Sequence, residues 1–221
     1  MNRRILAAAL AFTLAAGAAG LAMGQGMPAA SKDPATAPAG TYVLDPMHAS
    51  VIARATHMGL SHFAVRFDKV DGSFNYDPAH PAATKVTASV DAASLDVGTQ
   101  VLTDPKTNTS QTLNHHFIAE RDLAGASKTP VATFVSTAIH SNGDGVGTMT
   151  GDLTLNGVTK PVTFDVTFNG TLAMGPMQRM GFSAMTVIKR SDFGLTPFLP
   201  AAAVSNEVSL DIEAEFVRKA G

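Results

Sequence analysis

VSLDIEAEF (residues 208–216) decides the fold class. Val208, Leu210, Ile212, Ala214 and Phe216 fall on one parity, and Ser209, Asp211, Glu213 and Glu215 on the other. Successive side chains of a strand point to opposite faces, so one apolar and one charged parity describe a half-buried β-strand. VTFDVTFN (162–169) repeats the pattern, with Val162, Phe164, Val166 and Phe168 set against Thr163, Asp165, Thr167 and Asn169. KVTASVD (85–91) does so with Val86, Ala88 and Val90, and weaker alternation runs through 50–57, 131–139, 146–155 and 181–189.

Between 63 and 76 the parity changes. Phe63, Val65 and Phe67 are apolar at odd positions, then Val70, Phe74 and Tyr76 include even ones. One inserted residue near Asp68 and Lys69, a β-bulge, accounts for the switch. Asn142-Gly143-Asp144-Gly145 and Asn156-Gly157 are hairpin turns, because Asn, Asp and Gly tolerate positive φ. One segment has helical spacing: after a cap at Asn108 or Thr109, Leu113, Phe117 and Arg121 recur every four residues, and Gly125 and Pro130 stop it. The chain is therefore all-β, with about eight antiparallel strands and one short helical segment. Strands with one apolar face hide it in a sandwich or in a closed barrel, and closure also removes the sheet edges. A barrel is the preferred reading and a sandwich the alternative.

Outside the strands the chain divides simply. Arg3 and Arg4, the apolar run from Ile5 to Gly20 and the small-residue exit Ala22-Met23-Gly24 describe a signal peptide over 1–24. The expected location is then periplasmic or secreted, and cleavage leaves a mildly acidic chain. Residues 25–40, with Pro28, Pro34 and Pro38 among Ala, Ser and Gly, read as a flexible linker with nothing to bury. The barrel is expected over 41–217, and 218–221 form a tail. A charged fraction of 15% is too low for a disordered chain. The absence of Cys excludes disulfides and zinc–thiolate sites, and a net charge of −2 offers no basic footprint for nucleic acid.

An eight-stranded barrel is just wide enough to be filled by side chains or to hold one small ligand. The apolar parity mixes large rings with small groups such as Ala88, Ala184 and Ala214. That mixture fits dense packing and a lengthwise channel equally well.

A resemblance goes further. YVLDPMHASV (42–51), HMGLS (57–61), FDKVDGSF (67–74), SLDVG (94–98), TPVATF (129–134), GDLTLNGVTKPV (151–162), IKRSDFGL (188–195) and VSNEVSLDIEAEF (204–216) occur in an order and spacing similar to the YceI-like family of exported polyisoprenoid-binding proteins. GDLTLNGVTKPV and KRSDFGL are the most specific. The stretch 99–112 departs from the family by being longer and more polar. The resemblance implies a lipocalin-like antiparallel barrel around a long apolar pocket for a non-covalent isoprenoid or fatty chain, a quinone or polyprenyl tail among them, and no other cofactor. The expected lining is Phe67, Phe74, Val86, Ala88, Val90, Leu153, Phe164, Val166, Phe182, Ala184, Leu210 and Ile212, with Phe117 and Met177 near the mouth. Carriage or storage is the implied role. Among partners it leaves room for a homodimer and for transient contact with a membrane or with membrane electron-transfer proteins.

Four polar residues are candidates for a head group or for structural bonds. His48 and Ser50 share one face of a strand start near Asp45, and Arg190 and Asp192 share one if their strand continues. The structural reading of the second pair is an ion pair fixing the Phe193-Gly194 turn. A different class of function, copper handling or a redox accessory role, would use Met174, Met177, Met180 and Met185 with His115 and His116, since thioether and imidazole suit Cu(I). No catalytic motif of the common hydrolase, metalloprotease or nucleotide-binding kinds occurs, so no enzyme is expected.

Overall fold

The computed structural model describes residues 28–199 and 203–220. The signal-peptide reading of 1–24 lies outside these residues. Twelve strands follow in chain order: β1 Gly40–His57, β2 Ser61–Phe67, β3 Val70–Tyr76, β4 Lys85–Asp91, β5 Leu95–Asp96, β6 Val101–Thr103, β7 Ser110–Thr112, β8 Val131–Gly143, β9 Val146–Leu155, β10 Val158–Met174, β11 Met177–Lys189 and β12 Val204–Arg218. One short helix, α1 (Leu113–His115), runs into a wider turn at His116–Glu120.

The sheet closes. Around it β1, β3, β4, β8, β9, β10, β11 and β12 are neighbours in turn, and β12 pairs back onto β1. All pairings are antiparallel, which makes an eight-stranded barrel. The second half of β1 is paired by β2, from Val51 opposite Phe67 to His57 opposite Ser61. The parity switch of 63–76, expected to be a β-bulge, is instead a break between two strands, β2 ending at Phe67 and β3 beginning at Val70. It lets β2 pair with the end of β1 while β3 pairs with its beginning, Gly40 to Val43.

The turns follow their residues. Asp144 (φ 51°) and Asn156 (φ 52°) take the left-handed conformation that their short polar side chains tolerate. The helix begins later than its spacing predicts. Its cap is Thr112, whose hydroxyl accepts from the His115 amide, and not Asn108 or Thr109. The long polar stretch before it forms the separate β6–β7 hairpin, joined by Thr103 to Ser110.

The segment expected to be a flexible linker is docked from Ser31 onward. Ser31 bridges Thr171 by a pair of backbone bonds, and Lys32 donates to the Asn169 carbonyl at 2.6 Å. A 3₁₀ turn at Pro34–Thr36 is capped by Asp33, and Ala37 is buried. Two tyrosines of the barrel hold this strap: Tyr42 donates to the Pro38 carbonyl and Tyr76 to the Pro34 carbonyl, each at 2.9 Å. Two hydroxyls that would otherwise be buried without partners thereby find acceptors, which is the physical reason the strap docks.

Candidate functional site

The inward parity of each strand is apolar, yet the barrel is not filled. It encloses a cavity of about 980 Å³, at the upper end of the range of small-molecule sites. Its wall carries Val51, Ala53 and Ala55 from β1, Val65 and Phe67 from β2, Val86, Ala88 and Val90 from β4, and Leu210 and Ile212 from β12. These side chains are only half-buried, because they face empty space instead of one another. On β12 the lining runs from Val204 to Phe216, ~40 Å of strand at ~3.4 Å per residue.

The two ends differ. At the end where β1 begins, the rings close up. Tyr42 is fully buried and stacked on Phe74, with centroids 5.2 Å apart and planes 4° from parallel, and Phe74 meets Phe216 at 4.9 Å and Phe182 at 5.8 Å. Phe168 and Met180 complete this cluster, and the docked strap covers it. At the opposite end Leu113, Phe117 and Leu123 of the helical segment lie across the barrel, with Phe117 edge-on to Phe63 at 5.6 Å. Phe198, under the Arg121 guanidinium at 5.2 Å, and Leu195 border the same end.

Of the fourteen residues expected to line a channel, the cavity wall brings together Phe67, Phe74, Val86, Ala88, Val90, Phe117, Leu153, Phe164, Val166, Phe182, Ala184, Leu210 and Ile212. Met177 is not among them. It opens β11 opposite Met174, at the strapped end, where it is partly exposed and its sulfur accepts from Arg179 Nε. The methionine of that strand that faces the cavity is Met180, three residues on. The four methionines do not converge either: Met180 is buried inward, whereas Met185 is exposed on the outward parity. Among the described residues no group of His, Asp and Glu is arranged to hold a metal ion.

The polar candidates also separate. His48 is exposed, and its ring is bonded to Asp45 at 2.9 Å, outside the barrel. Asp45 in turn accepts from Arg179 Nη1 at 2.7 Å, and these two bonds push its carboxyl down to about 2. Ser50 pairs with Glu213 on the outward parity and meets the cavity only at its border. Arg190 and Asp192 make no ion pair, because β11 ends at Lys189 and 190–193 turn into a 3₁₀ helix. Asp192 is exposed. Arg190 is buried, borders the cavity, and donates to three carbonyls: Ser205 by Nε and Pro197 by Nη1 at 3.0 Å, and Val204 by Nη2 at 3.2 Å. Burial pushes its pKa below the ordinary arginine value.

Phe134, Val51, Ile188, Leu195 and Phe198 line the wall without having been singled out. The first three lie on the inward parity of their strands, a signal that the sequence carries. Leu195 and Phe198 lie in the β11–β12 connection, where no period marks them.

A closed antiparallel barrel around one large apolar cavity defines the class, a small-barrel binding protein. The chain belongs to the YceI-like family, whose domain model matches residues 42–216. It is 37% identical over 210 residues to the UPF0312 protein of Pseudomonas putida (strain W619), which spans 93% of this chain and 95% of that protein. Among solved structures it is similar to Burkholderia cenocepacia BcnA, with a TM-score of 0.62 and 28% identity over 78% of this chain and 98% of the other. A polyisoprenoid binding domain from Saccharophagus degradans shares the fold, with a TM-score of 0.54 at 16% identity over 80% and 98% of the two chains.

Proposed function

We propose that the protein encloses the chain of an isoprenoid, or a similarly long lipid, and carries or stores it across an aqueous compartment after export. The observation that carries this reading is the cavity itself: about 980 Å³, bounded almost wholly by apolar side chains and extended along the barrel. Each CH₂ moved from water into such a space gains ~0.8 kcal/mol, so a long tail binds tightly with few polar contacts. The polyisoprenoid binding of the Saccharophagus domain, which has the same barrel, supports the choice of ligand class. The basic start, apolar run and small-residue exit of 1–24 support export.

The test is native mass spectrometry of the exported protein, followed by organic extraction. A bound apolar molecule that is released on extraction is the expected result and identifies the ligand. A protein that arrives empty and takes up no added polyprenol would overturn the reading.

A further inference from the structure

Among the described residues, six other than glycine take positive φ: Met58, Asn108, Asp122, Asp144, Asn156 and Phe198. Four of them are Asn or Asp, whose short polar side chains tolerate that region. Met58 (φ 52°) and Phe198 (φ 64°) lack that latitude, so two large apolar side chains are held in strained backbone. The two share one end of the barrel, Met58 in the β1–β2 turn and Phe198 in the β11–β12 connection. The loops are also tied together. The Met58 amide donates to the Ala203 carbonyl at 2.9 Å, the Thr56 amide to the Ser205 hydroxyl at 2.9 Å, and His57 pairs with Val204. The Leu60 amide closes the turn on the His57 carbonyl at 2.9 Å.

This pinned turn turns its side chains to water. Leu60 is 84% exposed and Met58 61%, and neither belongs to the cavity wall. The stretches 55–65 and 193–206 contain no Asp, Glu, Lys or Arg. Two cations approach them from elsewhere: Arg190 holds the carbonyls of Pro197, Val204 and Ser205 from inside, and Arg121 lies over the Phe198 ring at 5.2 Å. Behind the turn the apolar surface continues inward, because Phe63, Phe117, Leu195 and Phe198 line the cavity. An apolar path therefore runs from the exposed tip to the interior of the barrel.

We propose that the β1–β2 turn, with Phe198 behind it, docks the protein on a lipid bilayer, Met58 and Leu60 entering the boundary of the hydrocarbon. This rests on the reading of the barrel as a lipid-chain site and adds to it the surface with which the chain is exchanged. Area and charge decide the occupant. Two apolar side chains on one narrow turn supply a small part of the ~800 Å² per partner that a stable protein interface buries. A bilayer requires no complementary surface, because each apolar group that enters it gains by leaving water. A tip without charged side chains matches the uncharged hydrocarbon and has no group with which to grip a charged partner.

The test is flotation of the exported protein with phosphatidylcholine vesicles at low and at high salt. The unaltered protein is expected to float with the vesicles equally at both, since salt screens charges and not apolar insertion. Leu60→Asp is expected to lower the partition coefficient about tenfold or more, and the double change with Met58→Asn to abolish flotation. Both positions are exposed, and Asn is suited to positive φ, so urea midpoints should not fall. Lipid content after extraction should be the same in all three proteins, because neither residue lines the cavity. An unaltered protein that stays with the solvent fraction would overturn the proposal, as would flotation lost at high salt or a double variant that floats like the unaltered protein. So would a dimer in sedimentation that Leu60→Asp dissociates, which would assign the turn to a second copy. A protein that floats but carries and takes up no lipid would instead remove the lipid-chain reading and leave the docking surface standing.

Discussion

The ring of Phe134 lies over Gly151, in the space that a side chain at 151 would occupy. Gly151 is on the inward parity of β9, and a Cβ there would stand 2.5 Å from the Val135 carbonyl oxygen and inside the contact distance of the Phe134 ring. The glycine lets the ring lie back against the barrel wall, where it meets Phe164 edge-on at 5.3 Å and 85°. The bore in the middle of the cavity depends on this pair.

Gly151→Ala is therefore expected to destabilise the barrel by ~1–3 kcal/mol, the usual cost of overpacking, and to push the Phe134 ring into the cavity. Urea denaturation measures the first effect and lipid content the second. Adding Phe134→Leu should recover part of the loss, since the clash is with the ring. A double variant no more stable than Gly151→Ala alone would place the cost on the Val135 backbone instead.

The Asp45 carboxyl ties His48 on its own strand to Arg179 on β11, which is also bonded to Glu215 at 2.9 Å. Its pKa in the folded protein, about 2, lies below the ordinary aspartate value. The stabilisation it gives is thus fully present above that ordinary value and is lost as pH falls toward about 2. Asp77, Asp96 and Glu120 are lowered as well and act in the same direction, so the informative comparison is with Asp45→Asn. Urea midpoints taken from neutral pH to about pH 2 should fall more steeply in the unaltered protein than in the variant. Parallel curves would mean that Asp45 contributes nothing to the acid limb.

Tyr42 and Tyr76 are buried rings whose hydroxyls reach the strap, and burial raises the pKa of both above the ordinary tyrosine value. Tyr76→Phe strands the Pro34 carbonyl and should cost ~0.5–1.5 kcal/mol, a typical net hydrogen bond. The double change with Tyr42→Phe should release the strap, seen as faster proteolysis before Gly40 while the barrel stays intact. Unchanged cleavage would show that the Ser31–Thr171 bridge and the Lys32 bond hold it alone.

What was legible in the sequence is what a local period encodes. The strands and the hairpins at Asp144 and Asn156 each need only a few neighbouring residues, and the change of parity at Asp68 and Lys69 gave the place of an irregularity but not its form, a strand break where a bulge is expected. The cavity lining follows from the same parity, which is why Phe164, Val166, Leu210 and Ile212 lie where alternation puts them. The strap was hidden, because its composition is that of a tether and its anchors are hydroxyls on Tyr42 and Tyr76. Met177 does not lie at the cavity as expected, because β11 sends Met180 inward and leaves Met177 in the hairpin opposite Met174. Arg190 and Asp192 parted because a strand ended one residue before the pair, which alternation does not announce.

Ala88, Ala184 and Met177 together test the cavity's boundary. Ala88 is half-buried on the inward parity of β4 and faces open space, so Ala88→Trp should keep the fold and displace the bound chain. Ala184 also lies at the wall, but it is buried against Phe134 and Phe164. A ring there must displace those two rings as well as enter the cavity, and Ala184→Trp should lower stability by ~1–3 kcal/mol in addition to displacing the bound chain. Met177→Trp lies outside the cavity and should change neither stability nor lipid content. The chain has no native tryptophan, so the emission of each variant reports its own site. Blue-shifted emission at 88 with loss of lipid, against solvent-exposed emission at 177 with lipid retained, is the expected pair. Full lipid content in a folded Ala88→Trp protein would mean that the chain runs along another part of the wall.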